Sequence, residues 1–272
     1  MNVLSLGLGT QSTMLYILSV KGYLPPLDFA VFSDTGGEKP QTYDYLQTLR
    51  EFGKANGGPT IYVAGEKNLY KDLLANENST GQWFASIPMF TESENGGGML
   101  KRQCTNEYKI MPIDRLIRSI TNEPINLWMG MSLDEAERMS WPREKWKMHV
   151  YPFCGYWAGR DEWGQLKDNA KYVAERYKVK QLYYYFNMPL PDNSLCFFCP
   201  YMSDAQWAKM KKSQPGLFEK ACQLDETLRD STKRGTKQKA YIHKSKKPLR
   251  EVKFDSEDNY QLFNCTSGNC GT

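Results

Sequence analysis

Short apolar runs and longer amphipathic stretches alternate along the first half of the chain. The runs Val3–Leu6, Leu27–Ser33 and Thr60–Val63 have the length of buried strands, and apolar residues recur at helical spacing between them. Ile125–Met129 and Met148–Tyr151 predict two further strands. Because strands that alternate with helices form parallel sheets with right-handed crossovers, the pattern predicts an α/β fold, with an open, mainly parallel twisted sheet and helices on both faces.

The pattern changes after residue 157, where the strand signal fades and helical spacing dominates, including a stretch from Ser203 to about Asp230. We therefore expect two parts, an α/β domain over residues 1–158 and a mainly helical C-terminal region over residues 159–272. Within the first part the periodicity breaks down between residues 76 and 103, and Glu92–Gly98 has the composition of a mobile loop.

A glycine-rich segment, Ser5–Ser12, joins the first predicted strand to the first predicted helix. Such a turn directs unpaired backbone N–H groups and the positive end of the helix dipole toward one point, which suits a phosphate group. Hydroxyl side chains in the segment add further donors. The predicted phosphate contacts are Ser5, Gly7, Gly9, Thr10, Gln11 and Ser12.

Several kinds of loop have glycines between a strand and a helix. A Walker A loop requires a Lys-Ser/Thr pair after its last glycine, and this segment has none. A dinucleotide-binding loop would carry a third glycine where this chain has Ser12, although Asp34 lies near the position of a ribose-binding acid. A glycine turn without a ligand and a pyrophosphate loop are the other two interpretations.

A series of later motifs favours the pyrophosphate loop. Phe32–Thr42 reads Phe-Ser-Asp-Thr-Gly-Gly-Glu-Lys-Pro-Gln-Thr, and it is followed by Cys104…Lys109-Ile110-Met111-Pro112, Gly130-Met131-Ser132…Arg138 and Tyr151-Pro152. In this order the motifs resemble those of phosphoadenosine-phosphosulfate (PAPS) reductases, in the adenine nucleotide α-hydrolase superfamily, over most of residues 1–160. Gln11 stands where ATP pyrophosphatases of that superfamily have aspartate, which favours the reductase branch.

The resemblance implies that the ligand is an adenine nucleotide, either ATP or PAPS. It assigns the phosphates to the glycine loop and the rim of the nucleoside pocket to Asp34, Thr35 and Gly36. Cations elsewhere in the motifs become candidate partners for phosphate or sulfate, because a guanidinium group matches such oxyanions; the alternative for each is a solvated surface. These candidates are Arg102, Lys109 and Arg138, of which the last two are also candidate catalytic residues.

The seven cysteines of the chain include one pair at metal-binding spacing. Cys196 and Cys199 form a Cys-x-x-Cys, whereas disulfides are not expected in a reducing compartment. Thiolates of this kind bind zinc or an iron–sulfur cluster. The resemblance favours a [4Fe–4S] cluster over zinc, with thiols that bind no metal as the third alternative. The expected ligands are Cys104, Cys196, Cys199 and Cys265.

The expected fourth ligand of the cluster is one of the two tail cysteines, Cys265 or Cys270, and the sequence does not decide between them. Cluster-bearing adenylyl-sulfate reductases have a Cys-Cys pair where this chain has Cys104 alone, so a non-protein fourth ligand is a further alternative. The tail Asn269-Cys270-Gly271 is similar to the Glu-Cys-Gly tail of PAPS reductases, and this resemblance makes Cys270 a candidate catalytic nucleophile. The remaining cysteines, Cys154 and Cys222, are expected to be buried.

Composition and charge limit the class of protein, its cellular location and its partners. With 40% hydrophobic and 24% charged residues the chain can build a core, and no apolar run is long enough to cross a bilayer. The first residues do not resemble a signal peptide, so we expect a cytoplasmic protein without membrane partners.

The net charge is only +4, but cations are concentrated in Lys233–Lys253, which is either a solvated surface or a binding site for RNA or DNA. Acids after a predicted strand end, which could hold Mg²⁺, act as bases or simply be solvated, are Asp134, Glu135 and Glu137.

Three hypotheses follow. The first is a PAPS-reductase-like enzyme that performs reductive or transfer chemistry on sulfur, with a thiol reductant or sulfur-donor protein as its partner. The second is an ATP pyrophosphatase that adenylates a nucleic-acid base for thiolation or another modification. The third is a non-catalytic accessory protein that binds nucleotide or nucleic acid.

Overall fold

A computed structural model describes residues 1–65, 67–75, 87–92, 98–155, 173–192, 194–229 and 238–254. The strands are β1 (Asn2–Ser5), β2 (Phe29–Ser33), β3 (Thr60–Ala64), β4 (Phe90–Thr91), β5 (Gly98–Met99), β6 (Ile125–Met129), β7 (Lys147–Val150) and β8 (Ala240–Tyr241). The helices are α1 (Thr10–Val20), α2 (Pro40–Ala55), α3 (Leu69–Ala75), α4 (Met111–Ile120), α5 (Arg176–Tyr185), α6 (Asp204–Ser213) and α7 (Pro215–Arg229).

The main sheet has the order β3-β2-β1-β6-β7, and all of its neighbouring strands are parallel. The chain builds outward from β1 to β3 on one side and then adds β6 and β7 on the other. The strand order therefore reverses between β1 and β6, and ligands of open parallel sheets bind in the crevice at such a reversal, beyond the carboxyl ends of the strands. The predicted open parallel α/β sheet is confirmed.

Successive side chains of each strand point to opposite sides of the sheet, so apolar residues lie on both of its faces. Helices cover both faces. Leu4 and Phe32 face a core that is completed by residues of α1, α2 and α5. Val3 and Val31 face the other core, which includes Ile117 of α4. Both faces are thus buried, as in other doubly wound folds.

A third core lies under the C-terminal helices and was not expected from the sequence in this form. Trp207 of α6 and Phe218 and Leu228 of α7 pack with Leu73 of α3, so both predicted parts of the chain contribute to it. A small antiparallel sheet of order β5-β4-β8 lies beside it. The helical stretch predicted from Ser203 is two helices, which break at Gln214, where the next residue is a proline.

Three sequence-based expectations fall on residues that the structure does not describe. These are the boundary near residue 158, the centre of the predicted loop at residues 93–97, and the tail that carries Cys265 and Cys270. The boundary therefore stays a prediction. Among the described helices, none is both long enough and apolar enough to cross a membrane.

Candidate functional site

The glycine loop lies at the carboxyl end of β1, next to the reversal of strand order. Gly9 is the N-cap of α1, and it contributes no side-chain hydrogen bond to the first turn of the helix. Leu8 has a φ of 54°, a left-handed conformation that is costly for leucine, and its buried side chain holds the loop to the core. The backbone amides at the start of α1 are therefore directed into the crevice and are not capped by the loop itself.

The two loop glycines face open space. A Cβ atom added at Gly9 would have no atom of the described residues within 4 Å, and one added at Gly7 would meet only the Ser12 Oγ, at 3.9 Å. Packing within the chain thus does not require glycine at these two positions. The bare backbone leaves room for a group that approaches the amides closely, which is how glycine loops accept phosphate.

The end of β6 packs directly on this loop. A Cβ atom at Gly130 would lie 2.5 Å from the Ser12 backbone nitrogen and 2.7 Å from the Ser12 Cα, so a larger residue would displace the first turn of α1. This contact brings the 3-10 turn Leu133–Arg138 to the helix N-terminus.

One buried carboxylate organises the site. Glu135 is 5% exposed, and its Oε2 accepts a hydrogen bond from the Gln11 Nε2 at 2.6 Å. The same carboxylate pairs with Arg138 and, at 3.6 Å, with the Nη2 of Arg176. Gln11 also donates to the Ser132 Oγ at 3.2 Å. Sequence analysis named Gln11 and Arg138 but missed Arg176, because nothing in the sequence links it to a turn about 40 residues earlier.

Two guanidinium groups, Arg138 and Arg176, surround the Glu135 carboxylate near the first turn of α1, and a second carboxylate, Asp134, lies next to Arg176. Within the described residues, the Nε atoms of Arg138 and Arg176 are buried without a hydrogen-bond partner. Burial favours the protonated form of Asp134, but hydrogen bonds from Ser132 and from the Arg176 backbone N–H outweigh it, so the pKa of Asp134 is lowered. Glu135 is already paired with two cations and a hydrogen-bond donor, so its carboxylate is not free to bind Mg²⁺.

The loop after β2 occupies the neighbouring position at the same edge of the sheet. The Asp34 Oδ1 accepts hydrogen bonds from the Gly36 N–H and the Tyr43 hydroxyl, both at 2.8 Å. Gly36 has a φ of 69°, and a Cβ atom there would lie 2.3 Å from the Asn68 Nδ2. Burial and the hydrogen bond to Asp34 raise the pKa of Tyr43. The loop is thus rigidly held, with its carboxylate already engaged by two donors.

This loop touches the Cys-x-x-Cys segment. The Thr35 hydroxyl lies 3.4 Å from the Cys196 Sγ and donates to the Glu38 Oε1 at 3.2 Å. The Gly37 carbonyl accepts the Phe197 N–H at 2.9 Å, and a Cβ atom at Gly37 would lie 2.7 Å from the Phe198 ring. Residues separated by about 160 positions therefore form one continuous surface.

Beyond Thr35 a pocket of about 70 Å³ contains the predicted cysteines and two of the predicted cations. The Lys109 Nζ lies 3.9 Å from Glu38, a carboxylate whose side chain is fully buried. Burial, with a smaller contribution from Glu38, raises the pKa of the Cys196 thiol. The predicted site residues in the lining are Thr35, Arg102, Cys104, Lys109, Cys196 and Cys199. Arg102 and Lys109 thus lie in the same pocket lining as the three described cysteines.

The fit of this pocket to a metal centre is partial. Cys104, Cys196 and Cys199 are thiols that line one pocket, yet among the described residues no three His, Cys, Asp or Glu side chains are close enough to hold one ion. The two tail cysteines lie outside the described residues. Of the others, Cys222 is buried as expected and Cys154 is half-buried, and burial raises the pKa of both thiols to about 11.

The basic C-terminal segment, where the structure describes it, is docked on α6 and α7. Fully buried Asp225 accepts the backbone N–H groups of Ile242 and Leu249 at 2.9 and 3.0 Å. Two of the predicted cations form ion pairs, Lys244 with Asp204 and Arg250 with Glu219 and Glu226, while the part of Lys233–Lys253 before residue 238 lies outside the described residues.

Fold and site together define a doubly wound α/β protein with a glycine loop at the reversal of its strand order and a cysteine pocket beside the neighbouring loop. No family model matches the chain, and no curated protein matches it. A PAPS reductase from Candida auris in its phosphate complex shares 14% identity over 66% of this chain and 77% of its own, with a TM-score of 0.34. The U34-tRNA thiolase of Methanococcus maripaludis with its [4Fe–4S] cluster shares 13% identity over 81% and 68%, with a TM-score of 0.33. Both similarities are remote.

Proposed function

We propose that the chain is an enzyme that binds an adenine nucleotide in a pyrophosphate loop and performs reductive or transfer chemistry on sulfur. The observation that carries the proposal is the adjacency of two chemistries at one sheet edge. The glycine loop follows β1, and the loop after the neighbouring strand β2 reaches the Cys-x-x-Cys, where Thr35 lies 3.4 Å from the Cys196 Sγ.

The phosphates would bind at the N-terminus of α1. Backbone amides at a helix start attract anions, and the open space at Gly7 and Gly9 allows close approach. Arg138 and Arg176 supply cationic donors next to these amides, in positions that Glu135 fixes. Ser5, Thr10, Gln11 and Ser12 belong to the same cradle.

The nucleoside would extend toward the loop after β2, with Asp34, Thr35 and Gly36 at its rim. The sulfur-bearing end of PAPS would then approach the cysteine pocket, in which Arg102 and Lys109 provide charge for a sulfate group. Cys270 is retained as the proposed nucleophile of the tail, with a thiol reductant or sulfur-donor protein as the partner that restores the thiols.

Calorimetric titration with ATP, PAPS and adenosine 3′,5′-bisphosphate tests the nucleotide site. We expect Gly9→Ala to leave the melting temperature unchanged, because the new methyl group meets no described atom, but to weaken nucleotide binding at least about tenfold by filling the phosphate position. Binding of none of the three nucleotides would contradict the proposal. Tight ATP binding with release of pyrophosphate in the presence of RNA or DNA would favour the adenylating enzyme instead.

We further propose that the cysteine pocket holds a [4Fe–4S] cluster in preference to zinc, with Cys104, Cys196, Cys199 and Cys265 as ligands. Such a cluster would supply electron-transfer capacity beside the nucleotide. Anaerobically purified protein should contain iron and acid-labile sulfide, and Cys196→Ser should lose both while Cys222→Ser retains them. A colourless, iron-free preparation would contradict the cluster and leave the thiols themselves as the reactive groups.

A further inference from the structure

Helix α5 presents an unusual aromatic face to solvent. Tyr177, Tyr184 and Tyr185 are 53%, 85% and 71% exposed, which places them among the four most exposed large apolar side chains of the described residues. Their spacing of seven and eight residues puts them on the same side of the helix. The opposite side is fixed, since Val179 and Tyr183 are buried and the Tyr183 hydroxyl donates to the Thr10 carbonyl at 2.7 Å.

All charged side chains within this helix are positive. Its sequence, Arg-Tyr-Lys-Val-Lys-Gln-Leu-Tyr-Tyr-Tyr, has three cations and no acid. The Lys178 Nζ lies 5.7 Å from the centre of the Tyr177 ring. Within the described part of the chain, neither Lys178 nor Lys180 forms an ion pair, whereas Arg176 is held by Glu135. Cations that alternate with exposed rings can contact a polyanion and stack its bases together.

A pocket of about 490 Å³ opens beside this face, lined by Tyr23, Lys178, Leu182, Tyr185 and Phe186 among others. Its aromatic wall is ordered by contacts within the chain. The Tyr185 ring packs edge-on against Phe186 with centroids 4.9 Å apart, and its hydroxyl lies 3.3 Å from that of Tyr23. Such a pocket can accept a flat aromatic group that leaves its own stack.

We propose that this aromatic face of α5 and the adjoining pocket bind single-stranded nucleic acid. Bases stack on Tyr177 and Tyr184, Lys178 and Lys180 contact the phosphates, and one base enters the pocket. Charge complementarity selects this partner, because lysine is depleted at protein–protein interfaces while lysine beside exposed aromatic rings is typical of single-strand binding. The inference does not depend on the nucleotide site, which lies at the carboxyl edge of the sheet.

Fluorescence anisotropy with labelled single-stranded RNA and DNA of about 12 nucleotides, and with the matching duplexes, tests the proposal. We expect both single strands to bind more tightly than the duplexes. Tyr177→Ala combined with Tyr184→Ala should weaken binding at least about tenfold, and Tyr184→Phe should bind like the wild type because it keeps the ring. Lys178→Gln with Lys180→Gln should reduce the slope of log Kd against log salt by about 1–2.

Tyr62→Ala is the matched control, since Tyr62 is also an exposed tyrosine but lies on the edge strand β3. Its binding should equal that of the wild type, with folding of every variant verified by thermal melting. Absence of single-strand binding at low salt would overturn the proposal. Equal binding by the double tyrosine variant would also overturn it, including the case in which Lys239, Lys246 and Lys247 prove to carry the affinity. Neither result would affect the nucleotide titration.

Discussion

A single buried carboxylate governs the glycine loop. Glu135 receives a hydrogen bond from Gln11 and pairs with Arg138 and Arg176, which are 14% and 25% exposed in their side chains. A carboxylate this deeply buried is stable only because cations and donors compensate for its lost hydration. The same compensation orients the two arginines, so one residue couples the stability of the loop to the position of its charges.

Glu135→Gln should therefore destabilise the protein. The substitution preserves shape but removes the carboxylate that pairs with two partly buried guanidinium groups, and we expect the free energy of unfolding to fall by about 1–3 kcal/mol in urea denaturation. Glu137→Gln is the matched control, because Glu137 lies two residues away and is exposed, and its effect should stay within about 0.5 kcal/mol. Equal effects of both substitutions would show that the Glu135 pairs contribute nothing.

Gly130→Ala tests the close contact between β6 and the loop. The new methyl group would lie 2.5 Å from the Ser12 backbone nitrogen, so the first turn of α1 must move. We expect a loss of about 1–3 kcal/mol in unfolding free energy, as for other overpacked sites, together with weaker nucleotide binding. Gly216→Ala, where no described atom lies within 4 Å of the added methyl group, should not be destabilised. If Gly130→Ala melts and binds nucleotide like the wild type, the contact is not needed.

At the scale of elements, the sequence predicts the strands and helices that have a local pattern. It misses the strands that depend on pairing with residues far away in the chain. The apolar runs predict all five strands of the parallel sheet, and the signal is clearest for β2, whose five residues are all buried, while the edge strands β3 and β7 are partly exposed. The strands β4, β5 and β8 have two residues each, too few for any period, and β4 is defined by its pairing with β5 and with the distant β8. For the basic segment the sequence predicts either a solvated surface or a binding site for RNA or DNA, and nothing local indicates that its backbone binds Asp225.

The junction between β8 and α6 should respond to pH. His243 is buried, its Nε2 lies 3.3 Å from the Asp204 Oδ1, and exposed Lys244 pairs with the same carboxylate. Burial lowers the pKa of His243 below 6.5, outweighing the attraction of Asp204. A depressed folded-state pKa means that the unfolded chain binds the proton first. The stability due to neutral His243 is therefore complete above pH 6.5 and is lost as the pH falls from there through the folded-state pKa.

Urea denaturation at several pH values between about 7.5 and 5 measures this loss. His243→Gln should flatten the decline in unfolding free energy relative to the wild type. The half-buried His149, whose pKa burial also lowers, is present in both proteins and cancels in the comparison. Parallel curves for the two proteins would exclude His243 as a source of the pH dependence.

At the scale of the whole molecule, the candidate site exists only because distant segments meet at the carboxyl edge of one sheet. Sequence analysis could name the Ser5–Ser12 loop, the Asp34–Gly36 segment and the Cys-x-x-Cys, because each has a recognisable local pattern. It could not show that Thr35 touches Cys196, or that Arg102 and Lys109 accompany the cysteines. Those relations follow from strand order and from the packing of the third core, under the C-terminal helices.

A ligand that spans this edge should stabilise the whole fold. Binding to the native state alone contributes about 2.7 kcal/mol when the ligand is present at 100 times its Kd, which raises the melting temperature of a protein of this size by about 5–10 °C. We expect this shift with the nucleotide that binds the glycine loop, measured by scanning fluorimetry. At the same ligand concentration Gly9→Ala should melt like the wild type without ligand but show a much smaller shift. Tyr184→Ala should keep the full shift, because this side chain is 85% exposed and lies eight residues along α5 from Arg176, the residue of that helix proposed for the cradle. A full shift in Gly9→Ala would place the nucleotide elsewhere.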